Sequence, residues 1–312
     1  MKTYFPNHKR PVTLIPYMLM LPTILLLCWL LVYPVFNVFY TSFWQEMLSR
    51  PKANAFIGLK NYHKILSDPV FFEALGNSFR WVIVEVGLQL VLGLGLSLIL
   101  KRKFRGCGIF RSILFLPWAL SGVLVSMLWS MMYYENVGVL NDLFQRLGII
   151  QKAIAWTGNK HTAFWSLIIA ELWRGIPFFS IMLLASLQSV PDEMYEACRV
   201  DGGNALQSFF YITIPHIKET LVLTTLLRVI WEFNSVDLIL NLTGGGPVHK
   251  TTTLSVYLAN TARKDGNFGY GSALAVISFL ILLIFAATYL KLSKFGNEEE
   301  QISHENNFKK TP

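Results

Sequence analysis

The sequence predicts an all-α membrane protein with six transmembrane helices and both termini in the cytoplasm. Three observations carry this reading. The 312 residues are 53% hydrophobic and only 15% charged, with a mean hydropathy of +0.45, an apolar excess that soluble domains do not carry. Six apolar stretches are each long enough for the roughly 20 helical residues that cross a bilayer. A basic cluster of Lys101, Arg102, Lys103 and Arg105, with Arg111 just beyond, marks one loop as cytoplasmic, because inner loops carry the excess of Lys and Arg. Backbone polar groups in lipid must be satisfied within the span, so these stretches are helices rather than strands. A cytosolic enzyme and a disordered regulator are both excluded. The net charge of +8 by itself fits nucleic acid or an anionic membrane. With the spans placed, it reads as orientation against membrane lipid, and no nucleic-acid partner is expected.

The first span runs from about Thr13 to Tyr40 and the second from Asn77 to Leu100. The third covers Ile109 to Tyr134, the fourth Ala163 to Leu187, the fifth Thr220 to about Leu242, and the sixth Gly271 to Leu292. The first is too long for a signal peptide and no small-residue cleavage site follows it, so it reads as an uncleaved span. Residues 1–12, with Lys2, Lys9 and Arg10, form a cytoplasmic N-terminus. Residues 13–292 form the six-span domain, with an inner loop at 188–218. Residues 293–312 form a polar cytoplasmic tail carrying Lys294, Glu298, Glu299, Glu300, Lys309 and Lys310. The long loops 41–76, 135–162 and 243–270 then face outward. Pro117 and Pro177 lie within spans, where a missing backbone N–H permits a kink.

Candidate chemistry is sparse. Cys28, Cys107 and Cys198 form no spacing motif, which excludes a disulfide framework and a structural zinc site. His8, His63, His161, His216, His249 and His304 lie outside the spans and form no metal pair one turn apart. Gly244–Gly246 lacks the lysine and hydroxyl of a phosphate loop and reads as a tight turn. The chain is therefore expected to bind no cofactor and to catalyse no reaction. Ionisable groups inside spans are costly and face a protein interior or a cavity; here they are Glu85, Glu171, Arg174, Arg228 and Glu232, with Asp237 nearer the outer end. Arg228, Trp231, Glu232 and Ser235 share one helical face by spacing. Two readings stand: an ion pair packed against a neighbouring helix, or a polar, aromatic-floored face lining a path. Glu85 and Gln89, one turn apart, are expected to bond a neighbouring helix.

The inner loop of about 30 residues is far longer than the two to eight usual between helices, and a structured loop of that size binds something. Ser189 is expected to cap a short helix, with Pro191 and Asp192 in its first turn. Glu193, Tyr195, Glu196, Ala197 and Arg199 follow, and Gly202 and Gly203 stop it. A second segment, Leu206 to Ile212, leads to Pro215, where the next span begins.

Glu196-Ala197-Cys198, three residues, Gly202, nine residues, then Ile212-Thr213-Ile214-Pro215 resembles the loop signature of permease subunits of bacterial binding-protein-dependent ABC importers. The family pattern is Glu-Ala-Ala, three residues, Gly, nine residues, Ile, one residue, Leu-Pro; Cys198 and Ile214 depart from it conservatively. Tyr33-Pro34, Phe56 to Tyr62, and Leu242 to Pro247 with Thr251 to Leu254 resemble the carbohydrate-uptake branch of that family. The likeness is to permeases typified by the larger permease of the maltose importer, without its extra N-terminal spans and large outer domain.

The resemblance implies a type I importer permease fold in a bacterial inner membrane, forming half of a sugar path. It implies four kinds of partner: a second permease, two ATP-binding subunits that hold ATP and Mg, an extracytoplasmic sugar-binding protein, and lipid. It places ATPase coupling at Glu196, Ala197, Arg199, Asp201 and Gly202. It places sugar contacts at Trp118, Gly122, Arg174, Gly175, Phe178, Arg228, Trp231, Glu232 and Ser235. Arg174 and Arg228 leave open an anionic sugar or a glycerol phosphate. The rival is an ion-coupled secondary transporter with protons on Glu85, Glu171 or Glu232, which leaves the elbow unexplained.

Overall fold

A computed structural model describes residues 15–102 and 105–293. The N-terminal charges Lys2, Lys9 and Arg10, the loop residue Lys103, and the tail from 294 onward lie outside the described residues. The first span is continuous through α1 (Ile15–Leu27), a π turn (Cys28–Val32) and α2 (Tyr33–Thr41). The wide turn sits immediately before Pro34, which has no N–H to donate and whose ring crowds the carbonyl of Leu30. Inside this chain the span is almost uncovered, touching the rest through α2, where Phe39 meets Phe279 edge-on at 5.9 Å. A two-residue hairpin, β1 (Trp44–Gln45) with β2 (Ala55–Phe56), follows. It is fastened by Asn61 Nδ2, which donates to the carbonyls of Ser42 and Trp44 at 2.9 and 3.0 Å. Asn61 belongs to α3 (Lys60–Leu66).

The second span is α4 (Pro69–Lys101). It starts earlier than the apolar run because Asp68 caps it, accepting from Val70 N at 2.9 Å, with Pro69 in the first turn. At its other end Arg111 Nη2 donates to the Leu100 carbonyl at 2.7 Å. The third predicted span is not one helix. It divides into α5 (Cys107–Ala119) and α6 (Gly122–Met132), bent by 98°. Pro117 weakens the end of α5, and Ser121 starts α6 afresh by accepting from Leu124 N at 3.3 Å. A short helix, α7 (Val139–Arg146), leads to α8 (Ala163–Gln188), which is the most buried of the long helices.

The inner loop holds α9 (Asp192–Val200) and α10 (Ala205–Ser208). From α10 the chain continues without interruption through a second π turn (Phe209–Thr213) into α11 (Ile214–Phe233). This wide turn again precedes a proline, Pro215, whose ring would crowd the carbonyl of Tyr211. The fifth predicted span is corrected here. Its helix stops at Phe233, Asn234 caps it, and the chain restarts as α12 (Asp237–Leu242). A further helix, α13 (Leu254–Arg263), then leads to the last long helix, α14 (Phe268–Ser293). Among the described residues four helices are long and apolar enough to cross a membrane, or five with the bent α5–α6 pair counted as one. The charges of α11, including Lys218, Glu219, Arg228 and Glu232, set it apart from those four. At the centre α4 and α8 pack most extensively. Gly93 permits the approach, since a Cβ there would collide with Phe179, and Ser180 Oγ donates to the Gly93 carbonyl at 3.3 Å.

Candidate functional site

Where α4, α8 and α11 meet, their ionisable residues form one buried network. Arg228 Nη2 pairs with Glu171 Oε1 at 2.9 Å and Glu232 Oε1 at 2.7 Å. Its Nε donates to Gln89 Oε1 at 2.6 Å. Arg174 holds the other side of Glu171 through Nε and Nη2, the latter at 2.8 Å. Gln89 thus bonds a neighbouring helix as expected, while its Nε2 donates to Glu85 Oε2 at 2.9 Å within α4. Three carboxylates thus meet two guanidiniums. Glu85 Oε1 is buried with no partner among the described residues.

The predicted sugar contacts divide between this network and an exposed edge. Arg228 and Glu232 have side chains only 5% and 2% accessible, so both turn inward and pair with each other. Gly175 is buried beside them; a Cβ there would overlap Arg228 Nη2 and Gln89, so the glycine makes room for the guanidinium. Trp118 and Trp231 are about half exposed, at 45% and 47%. They flank Phe178, with ring centroids 6.3 and 5.1 Å from it. Arg174 is partly exposed and its Nη1 points toward Gly122, the first residue of α6. Asp237 is exposed and packs against the same glycine, its Oδ2 3.5 Å from where a Cβ would be. Ser235 does not share the helical face of Arg228 and Glu232, because α11 ends before it. It lies half-buried in the link to α12. Sequence reasoning missed Trp81, whose Nε1 donates to Glu232 Oε2 at 3.0 Å. Its place one turn before Glu85 was the available signal.

The elbow is built by two backbone motifs. α9 ends in a Schellman arrangement: Gly203 N donates to the Cys198 carbonyl at 2.8 Å and Gly202 N to that of Arg199 at 3.1 Å. Gly202 has φ +80°, which a residue with a Cβ adopts at a cost. Asn204 and Gln207 then form a reciprocal capping box, at 2.8 and 2.9 Å, that starts α10. Ser189 does not cap α9 as expected. It terminates α8, its hydroxyl donating to the Ser186 carbonyl at 2.8 Å, and Pro191 takes the cap position. The inner side of α9 is pinned by Tyr195, bonded to Thr213 Oγ1 at 3.0 Å and covered by Lys101 at 4.3 Å. Glu196, Ala197, Arg199, Asp201 and Gly202 are all exposed.

The outer turn after α12 also follows expectation. Gly244 and Gly245 have φ of +63° and +93°, and a Cβ on Gly245 would meet Thr252 Oγ1.

The family described as the binding-protein-dependent transport system inner membrane component matches residues 89–292. The chain belongs to this family. It is therefore a multi-pass membrane transport subunit rather than a catalytic one. It is 33% identical over 282 residues to the trehalose/maltose transport system permease of Thermococcus litoralis, covering 90% of this chain and 94% of that one. It is 34% identical over 279 residues to the sulfoquinovosyl glycerol permease of Agrobacterium fabrum, covering 89% and 90%. The diacetylchitobiose uptake permease of Streptomyces coelicolor is 32% identical over 298 residues, with coverage of 94% and 90%. A crystal structure of a bacterial alginate importer superposes with a TM-score of 0.78 at 19% identity, covering 90% of this chain and 95% of that chain. The last likeness establishes that the importer-permease fold is shared.

Proposed function

We propose that this permease forms half of the path of an ATP-driven sugar importer and receives its drive through the 188–218 elbow. Six spans with both termini inside complete the reading, with α11 as the charged fifth span and the α5–α6 pair as a broken third. A second permease would supply the other half of the path. Two cytoplasmic subunits would bind ATP and Mg, and an extracytoplasmic binding protein would deliver sugar. Relatives named for sugar transport support this, as does a related alginate transporter solved with an alginate-bound periplasmic protein.

The observation that carries the coupling role is a rigid elbow with a bare outer side. The end of α9 and the start of α10 are fixed by backbone motifs, and the exposed residues are those of the family signature. A stiff, exposed helix transmits a push from a groove on a partner, whereas a slack loop absorbs it. Glu196 would meet the ATPase, Ala197 would keep the contact close, and Arg199 and Asp201 would border it. Replacing Gly202 with Asp tests the role. Membrane insertion should survive, while ATPase association and uptake should be lost; retained uptake would overturn the assignment.

In the path, Trp118 and Trp231 would stack on the apolar face of a sugar, with the buried Phe178 supporting both rings from beneath. Gly122, Arg174 and Ser235 would border it, with Gly175, Arg228 and Glu232 bracing it from behind. The ion-coupled alternative loses two of its three carboxylates, since Glu171 and Glu232 are locked to arginines, while the third, Glu85, bonds Gln89. Uptake driven by a proton gradient in vesicles without ATP would revive it.

A further inference from the structure

We infer that the path beside Trp118, Phe178 and Trp231 takes uncharged sugars and disfavours sugars bearing a carboxylate, sulfonate or phosphate. This rests on the sugar-importer reading and fixes the charge class of the cargo. The names of the relatives do not decide it, since they include both maltose and a sulfosugar glycoside.

The sequence suggested a basic pocket, with two arginines inside the spans. The fold neutralises each of them. Arg228 is buried and committed to Glu171, Glu232 and Gln89. Arg174 is bonded to Glu171 through two of its three nitrogens. The positive end of α6, which opens at the bend, is a third place where an anion would be favoured. It is already answered by the Ser121 cap and by the Asp237 carboxylate packed against Gly122. Asp237 is exposed at the front of the network. Each positive group near the aromatic trio therefore has an anionic partner within the chain.

A neutral sugar suits these surroundings. Its ring stacks on the half-exposed tryptophans, and its hydroxyls donate to Asp237 and accept from Arg174. A sugar acid would place like charge beside Asp237 and find no unpaired cation to compensate. Membrane depth leaves water little room to screen that repulsion.

The test uses the permease pair with its ATPases in lipid vesicles, without the external binding protein, so that selectivity belongs to the path. Ser235→Cys supplies a thiol in the link beside the aromatic surface, and its alkylation rate is read in the presence of added sugar. The probes are maltose, trehalose and diacetylchitobiose, each paired with the derivative whose primary alcohols are oxidised to carboxylates. Protection by a neutral sugar at concentrations about tenfold lower than its acid form, or lower still, is expected, a gap of about 1.4 kcal/mol. Asp237→Asn should narrow that gap. Equal or better protection by the acid form overturns the inference, as does a gap that Asp237→Asn leaves unchanged. ATP-driven uptake of the same neutral sugars and of their acid forms by the complete importer is measured alongside. Loss of all uptake removes the sugar-importer reading itself, whereas uptake of acids alone removes only the charge assignment.

Discussion

Gly175 and Trp231 show how neighbouring positions of one site divide into support and contact. A methyl group at Gly175 would occupy the volume of the Arg228 guanidinium and the Gln89 amide. Gly175→Ala should therefore displace Arg228 and strain its pairs, costing about 1–3 kcal/mol as overpacking does. Thermal unfolding of the detergent-solubilised complex should show a lowered midpoint. An unchanged midpoint would mean that the network relaxes around a methyl group. Trp231 makes the opposite prediction. Its side chain is half exposed and is not one of the ion pairs, so Trp231→Ala should leave assembly intact and impair uptake. Normal uptake by that variant would remove the aromatic surface from the path. Arg228 and Glu232, by contrast, were legible from sequence only as a pair of alternatives. Spacing put them on one face, but only the positions of Glu171 and Gln89 on two other helices decide that this face points inward.

At the scale of elements, proline and capping residues explain where helices break, widen and start. Pro34 and Pro215 each stand just after a π turn, and Pro117 stands just before the α5–α6 bend. The sequence permitted kinks at Pro117 and Pro177; the helix breaks soon after Pro117, whereas α8 is continuous through Pro177. The difference lies in packing: α8 is flanked by α4 along its length, while α5 meets a fresh N-cap at Ser121. Asp68 does more than cap α4. Its Oδ2 accepts from the hydroxyls of Tyr257 on α13 and Tyr270 on α14, the latter at 2.7 Å. Burial alone would raise its pKa, but these bonds and the amides of Val70 and Phe71 outweigh it and hold the carboxyl below its ordinary value of 3.8. The folded chain therefore binds this proton less readily than the unfolded chain. The contribution of Asp68 is present above about pH 3.8 and is lost as the pH falls through the lower folded value. For Tyr257, burial and then its bond to Asp68 push the phenol from 10.0 up to about 12. Its contribution holds below pH 10 and fades as the pH rises through about 12. The stability difference between wild type and Asp68→Asn should accordingly shrink below pH 4 or so, read by hydrogen exchange at the outer ends of α4, α13 and α14. A difference constant with pH would remove the carboxylate from that role.

Across the whole molecule, the apolar excess and the loop signature made the class of protein readable before any coordinates. Hydrophobicity is additive along the chain and needs no partner, so four long helices appear where the sequence put them. The stop of α9 at Gly202 was equally legible, because glycine acts at its own left-handed position, whereas the expected Ser189 cap gave way to Pro191. The fifth stretch was not, since its apolar run hides a stop at Asn234 that separates Ser235 from Arg228. Nor was the bend in the third, which depends on where α6 finds a cap and a neighbour. The charge of the site was the least legible property. The sequence by itself determined that two arginines enter the spans. It also put Glu232 one turn from Arg228 and Glu171 one turn from Arg174. Only the tertiary structure decided that Arg228 of α11 also meets Glu171 of α8, and that Asp237 of α12 borders the start of α6. Electrostatic environment is set by distances between helices far apart in sequence, and no local pattern encodes those distances.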